Sequence, residues 1–384
     1  MSSIIPCYNR SIEMIRFLSK TPKGKLSGVA LLRLDFNTED DWRLQAALPT
    51  VRLLQSVANS VVVVSHKGRP LGREMEWSLA KDALRLTRLL HKSVQFIPHF
   101  RFEEIKSEIH RTSKGAIFLL ENIRFLKEEM TPEPELARKL ASLADYFVND
   151  AFAVSHREED SVTGVEEFLP SYAGLGLEEE IATLERVSVK PKKPLVVILG
   201  GGKAEDKLGV IQALKTKADA FLLGGAAANT ILALRGIDVG NSKRDENPKD
   251  KKALQVVAKM RKVIAPLDWK VKDGAILDIG PKAVEEFADY ISEAKTILWS
   301  GPMGRIEEKP FDEGNLAIVK AVVANKKALS VTGGGETVMF LKKHKLDKKF
   351  GFISTGGGAM LEFLAGKKLP GIEALKNTRR SRGN

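Results

Sequence analysis

The sequence predicts an α/β fold built as two halves, each with its own parallel sheet, and three observations carry that reading. Short apolar runs rich in β-branched residues recur along the chain: ALLRLDF from 30, SVVVVSH from 60, AIFLLEN from 116, YFVNDAF from 146, PLVVILGG from 194, AFLLGG from 220, AILDIG from 275, TILWSG from 296, ALSVTGGG from 328 and FGFIST from 350. Amphipathic stretches long enough for helices separate them, and near-continuous apolar strands of this kind belong to parallel sheets covered on both faces. Between the fourth and fifth runs lies LGLEEEIATLERVSVKPKKP, in which Leu177, Ile181 and Leu184 fall at helical spacing before a Lys/Pro segment breaks the pattern. The spacing predicts a first lobe over 1–175, a linking helix and hinge over 176–190, and a second lobe from 191.

Composition bounds the function. The chain has 384 residues, 43% hydrophobic and 29% charged, which suits a soluble protein of two domains. Its apolar runs all fall short of the roughly 18 residues a membrane span needs. The opening MSSIIPCYNRSIEMIRFLSK places charges among its apolar positions, unlike a secretory signal, so the expected location is the cytoplasm. Cys7 is the only cysteine, which excludes an internal disulfide and a thiolate metal cluster. The formal charge of +12 calls for an anionic partner, either a phosphorylated small molecule or a nucleic acid backbone, and charge alone does not choose.

The residues just past each strand are more informative. Ligands of open parallel sheets bind beyond the carboxyl ends of the strands, and those ends read DFN, SHKGR, ENIR, NDAF, GGGK, GGAAAN, DIG, WSGP, TGGGE and STGGG. The first half supplies Asp35, Asn37, His66, Arg69 and Arg124, while the second supplies almost all the glycine. One half is suited to gripping a small anion with side chains, the other to cradling phosphates with backbone amides at helix starts. Common motifs are absent: there is no Walker A loop, no G-x-G-x-x-G after a strand, no nucleophile elbow and no H-E-x-x-H. HREED at 156 fails as a protein-kinase catalytic loop, because Glu158 and Thr163 stand where that loop needs aspartate and asparagine.

RLDFN, SHKGRP, LLENIRF, VNDAFAVSHR, LGGGKAEDK, DIGP, WSGPMG and STGGGAMLEFLAGKKLPGIEAL occur in the order and spacing of the phosphoglycerate kinase family, which the chain resembles from about residue 25 to 376. The resemblance implies two doubly wound, Rossmann-like lobes joined by a helix. It also implies a second lobe over 191–365 and a carboxyl-terminal segment, 366–384, that returns to the first lobe. It further implies that Asp35, Asn37, Arg43, His66, Arg69, Arg124 and Arg157 bind 3-phosphoglycerate. For the nucleotide it implies Lys203, Lys207, Gly225, Pro302, Glu307, Gly333, Gly334, Gly335, Glu336 and Thr337, with Glu307 holding the ribose. Arg43, Lys203 and Gly357 are the residues implied to act on the group in flight, and Glu336 the one reaching a magnesium ion carried with ATP or ADP.

In-line transfer between an acyl carboxylate oxygen and a nucleotide phosphate needs alignment and charge stabilisation rather than a side-chain nucleophile. The resemblance implies 1,3-bisphosphoglycerate and ADP as the partners of that exchange, a monomer, and hinge closure of the lobes, with no membrane or nucleic acid partner. Several positions depart from the family pattern: Glu336 in GGGET for the usual aspartate, Ser300 in WSGP for asparagine, Arg305 and Ile306 before Glu307, Ala226, and DFNTED for DFNVP. A weakened relative that binds anions or nucleic acid through its basic surface is the competing reading.

Overall fold

The computed structural model describes residues 14–131, 134–202, 204–245 and 250–376, arranged as two compact units. One unit takes the chain up to Ile181 together with the segment from Lys368, and the other is Ala182–Lys367. Cys7 lies outside the described residues.

The first unit holds β1 (Val29–Arg33), β2 (Ser60–Val64), β3 (Val94–Ile97), β4 (Ala116–Leu120), β5 (Tyr146–Asn149) and β6 (Ser171–Ala173) in one six-stranded sheet of order β3-β4-β2-β1-β5-β6. Every pairing in it is parallel. Side-chain alternation along the strands feeds two cores. Ala30, Leu32, Val61, Val63 and Leu119 join one apolar cluster, and Val29, Leu31, Val62, Val64 and Phe118 join another on the opposite face.

The second unit holds β7 (Leu195–Leu199), β8 (Ala220–Leu223), β9 (Val263–Ile264), β10 (Trp269–Lys272), β11 (Ala275–Ile279), β12 (Thr296–Ser300), β13 (Leu329–Gly333) and β14 (Phe352–Ser354). Six of these form a parallel sheet of order β14-β13-β12-β7-β8-β9, and β10 and β11 form a separate antiparallel ladder. Val196, Ile198, Leu222, Ile297 and Trp299 pack against Phe287, Ile291, Ile318 and Val319 of the helices Pro281–Glu293 and Glu313–Ala324.

The order of strands reverses between β1 and β5 in the first sheet and between β7 and β12 in the second. These are topological switch points, where the loops leaving adjacent strands part and a ligand-sized crevice opens.

The AILDIG run at 275 forms a strand as expected, yet it lies in the two-stranded ladder, so DIG does not sit at a parallel sheet end. Besides β10 of that ladder, β3, β6 and β9 have no counterpart among the ten apolar runs. All three are edge strands: β3 exposes Gln95, and β6 and β9 are three and two residues long. An edge strand buries less than a central one and is kept short or polar, which erases the pattern that marks central strands.

The helix Leu175–Ser188 covers the expected linking segment 176–190 up to its last two residues, and the division between units falls inside the helix, after Ile181, rather than at its ends. Its apolar stripe is Leu177, Ile181, Leu184 and Val187, all buried. Asp150, just past β5, starts the helix by accepting the Leu177 amide at 2.7 Å, and Gly174 and Gly176 leave room for that carboxyl. Burial pushes the Asp150 carboxyl up to about 6. The carboxyl-terminal helix Pro370–Ala374 belongs to the first unit, where the Gly371 amide donates to Ser155 O at 2.9 Å. Replacing the helix-starting acceptor, Asp150→Ala, is expected to destabilise the protein by about 1–2 kcal/mol, and Asp150→Asn, which keeps an acceptor for the Leu177 amide, to cost less; thermal denaturation of both variants checks the order.

Candidate active site

Four loops at the carboxyl end of the first sheet carry the expected anion-binding residues. After β1 come Asp35 and Asn37, then Arg43 in the first turn of the helix Asp41–Val57. Arg43 Nη1 donates to Asp35 Oδ2 at 3.1 Å, and the Asn37 amide donates to Asp35 Oδ1 at 3.0 Å. His66 and Arg69 follow β2, with the Gly68 amide donating to Asn37 Oδ1 at 2.9 Å. Arg124 follows β4 and donates through Nη1 to Gly68 O at 2.5 Å. Asn122 positions it, because the Asn122 side-chain oxygen accepts the Arg124 amide at 3.2 Å. Arg157 follows β5 and donates to Glu159 Oε1 at 3.2 Å, the oxygen that also takes Arg124 Nη2. The structure thus ties Asp35, Asn37, Arg43, Arg124 and Arg157 into one site, with Arg69 exposed one residue beyond Gly68.

Beneath them lies Arg33, the last residue of β1, fully buried. It donates through Nε to Ser161 Oγ at 2.9 Å and through Nη1 to Leu34 O, and its Nη2 is 3.1 Å from His66 Nδ1. A guanidinium only donates, so Nδ1 accepts and the imidazole proton sits on Nε2. Burial, reinforced by Arg33, Arg124 and Arg43, holds the His66 pKa well below its ordinary value, so the ring is neutral near pH 7. Its Nε2 donor is buried and finds no partner among the described residues, as do Nε of Arg43 and Nε of Arg124. Ser161 also binds Glu129, donating through Oγ at 2.5 Å and through its amide at 3.0 Å. Burial pushes the Glu129 carboxyl up to about 7, against the opposing pull of Arg33 and the Ser161 hydroxyl.

In the second unit three glycine loops interlock at the switch point. The Gly201 amide donates to Pro302 O at 2.8 Å, the Gly225 amide to Met303 O at 2.7 Å, and the Ala226 amide to Gly201 O at 3.0 Å. A Cβ on Gly200 would stand 2.0 Å from Pro302 O, so only glycine lets these backbones meet. Gly225 has φ +54°, and a Cβ there would crowd the Gly201 backbone in the same way. Thr337, buried, accepts the Gly301 amide on its Oγ1 at 3.1 Å and so joins this cluster to the β13 turn.

The two Thr-Gly-Gly-Gly turns are neighbours because β13 and β14 pair with Gly333 opposite Ser354. Each opens a helix, Gly335–Lys343 and Gly357–Leu364. A Cβ on Gly357 would be 2.9 Å from Gly334 Cα, whereas one on Gly334, Gly335 or Gly358 would meet nothing within 4 Å. The turns therefore touch each other on one side and leave open space on the other, where amides and the positive end of each helix dipole suit an anion. Glu336 stands exposed in the first turn of the first helix.

Not every expected feature gathers at this point. Lys203 lies outside the described residues, while Lys207 is buried in the helix Glu205–Leu214 and Glu307 is exposed in the loop after β12. The start of that helix is already occupied, since Asp245 Oδ2 accepts the amides of Ala204 and Glu205 at 2.7 and 2.9 Å. Sequence reading missed Asp245, and also Lys243, whose Nζ would be 3.3 Å from a Cβ on Gly202. It also missed Arg33 and Glu159, which look in sequence like a strand cation and one acid of an acidic run.

Guanidinium groups at the end of one parallel sheet and open glycine turns at the end of another define an α/β protein of the doubly wound class that handles small anions. The family model described as phosphoglycerate kinase matches residues 28–367. The phosphoglycerate kinase of Dictyoglomus turgidum is 41% identical, over 92% of this chain and 96% of that relative, and that of Thermus thermophilus is 39% identical over 94% and 100%. The solved phosphoglycerate kinase of Coxiella burnetii superposes with a TM-score of 0.81 at 32% identity, covering 95% of this chain and 100% of that one. That of Pyrococcus horikoshii gives 0.82 at 30%, covering 94% and 98%. The chain belongs to the phosphoglycerate kinase family, a family of phosphotransferases.

Two measurements test this site without an activity assay. Because the folded pKa of Glu129 is raised from 4.5 to about 7, its stabilising contribution is complete below about 4.5 and is lost as pH rises through about 7. Glu129→Gln should therefore gain stability relative to wild type as pH climbs through that window, by at most about 1.4 kcal/mol per pH unit; urea denaturation at a series of pH values reads it. Gly357→Ala should lower stability by about 1–3 kcal/mol because the new methyl meets backbone, while Gly358→Ala, with open space around it, should leave the melting temperature nearly unchanged.

Proposed function

We propose that this chain is a magnesium-dependent phosphoglycerate kinase of glycolysis and gluconeogenesis, moving a phosphoryl group reversibly between 1,3-bisphosphoglycerate and ADP to give 3-phosphoglycerate and ATP. The observation that carries this reading is a group of three among the first unit's buried, unmatched side-chain nitrogens, those on the expected ligand-binding residues: Nε of Arg43, Nε of Arg124 and Nε2 of neutral His66. Buried donors without acceptors are costly, so three around one strand-end crevice mark a place shaped for oxygens supplied from outside. A phosphorylated hydroxy acid brings them in two clusters, a phosphate and a carboxylate, which planar guanidinium groups match by paired hydrogen bonds.

In this reading Asp35 and Asn37 orient Arg43 and the acid's hydroxyl end, while Arg69, Arg124 and Arg157 hold the phosphate. The nucleotide phosphates lie on the amides of Gly333, Gly334, Gly335 and Gly357, with Lys207 and Lys203 adding charge, Gly225 and Pro302 shaping the base side and Glu307 meeting the ribose. Arg43 and Lys203 stabilise the charge that builds on the migrating group, and no covalent enzyme intermediate forms.

No cluster of three or more metal-ligating side chains occurs among the described residues. The carboxylate of Glu336, exposed in the first turn of the helix Gly335–Lys343, suits contact with a magnesium ion carried in by nucleotide phosphates. When bound, the ion would neutralise phosphate charge. Acceptor and donor belong to different units, so transfer calls for a hinge motion that unites them and excludes water. A cytoplasmic monomer is the proposed state, carried by the family resemblance.

A coupled assay with 3-phosphoglycerate, ATP and magnesium is expected to show turnover, and Arg43→Ala to lower it by at least about 100-fold. Absence of turnover with any nucleoside triphosphate would favour an anion-binding relative instead. In the same assay, a shift in the preferred divalent ion on Glu336→Asp would place that carboxylate at the metal, and an unchanged preference would remove it from there.

A further inference from the structure

We infer that Glu159 is a positioning residue that sets both the aim and the charge of the anion pocket, a role that rests on the phosphoglycerate reading and adds a residue to it. Glu159 is buried in the midst of cations. Its Oε1 accepts from Arg124 Nη2 and, at 3.2 Å, from Arg157 Nη1. Its Oε2 is buried without a hydrogen-bond partner among the described residues and stands 3.8 Å from Arg33 Nη2. Arg33 in turn sets the His66 tautomer. One carboxylate thus reaches three guanidinium groups, two that would grip the ligand and one that orients a third ligand-facing side chain.

Arg33, Arg43, Arg124 and Arg157 converge on this crevice against the carboxyls of Asp35 and Glu159, with Glu129 beneath on Ser161. Removing Glu159 leaves Arg124 held only through Nη1 by Gly68 O and takes from Arg157 the carboxylate it donates to, and at the same time raises the pull on any anion. An entering ligand must share both guanidinium groups with an acceptor already in place. Glu159 therefore weakens indiscriminate anion binding while fixing the directions in which the arginines offer their N–H groups. A residue that merely stabilised the fold would lower stability and raise KM without tightening the hold on a simple anion.

The experiment titrates wild type, Glu159→Gln and Glu159→Asp with inorganic phosphate by calorimetry and measures kcat and KM for both substrates. Glu159→Gln is expected to bind phosphate at least about five-fold more tightly, from the lost negative charge. It is expected to lose at least about ten-fold in kcat, from lost alignment, with KM for ATP unchanged. Glu159→Asp keeps the charge on a shorter arm, so it should return phosphate affinity to the wild-type value while kcat stays low. A folded Glu159→Gln protein with wild-type phosphate affinity and kcat would overturn the inference, as would an Asp variant with wild-type kcat should the Gln protein not fold. A wild type without turnover would overturn the phosphoglycerate reading alone, since the phosphate titrations still decide what Glu159 does.

Discussion

The structure of the anion pocket depends on one buried cation. Arg33 ends the central strand β1, points into the interior and finds there a hydroxyl, a backbone carbonyl, an imidazole nitrogen and a nearby carboxylate. Desolvation lowers its pKa and the surrounding carboxyls raise it, yet a guanidinium stays charged at any ordinary pH, so its neighbours must accommodate it. Glu129, Ser161, His66 and Glu159 are arranged by that demand, and through them Arg124 and Arg157. The visible site is the upper layer of a network whose lower layer never meets solvent.

The two units solve the same problem with different materials. In the first, anions meet side chains whose reach and direction are fixed by other side chains, and the cost is a dense set of buried charges. In the second, loops after β7, β8 and β12 are held together by backbone hydrogen bonds, with the Thr337 hydroxyl tying in the turn after β13, and glycine is required because other backbone occupies the space a Cβ would take. Part of the positive charge in the second unit comes from amides and helix ends, which carry no counter-ion of their own and need no titratable partner. Asp245 shows the limit of this device: at the start of the helix Glu205–Leu214 the protein has filled the amide pair with its own carboxylate.

The central strands were legible because their burial on both faces leaves them almost wholly apolar, as in SVVVV of β2 and LVVIL of β7. The edge strands β3, β6 and β9 were not, since Gln95 in β3 or the two residues of β9 leave no period to detect, although the edge strand β14 was found in FGFIST. The expected site residues were visible where they come directly after a central strand, as Asp35, His66 and Arg124 do. Arg33 and Glu159 were not: an arginine ending an apolar run suggests a solvent-facing strand end, and an acid in HREED suggests a solvated stretch. Their importance comes from a contact across 126 positions of chain, which local spacing cannot encode.

The pairing of β13 with β14 has an evolutionary reach beyond the ligand it serves. Because the hydrogen-bond ladder holds neighbouring strands about 4.8 Å apart, the gap between the two glycine turns is set by the main chain, and the one side chain it forbids is a Cβ at Gly357, where Gly334 stands in the way. Mutation can rewrite the outer faces of both adjoining helices and still leave that gap untouched. A part whose dimensions come from the peptide unit is one that drift has little means to spoil.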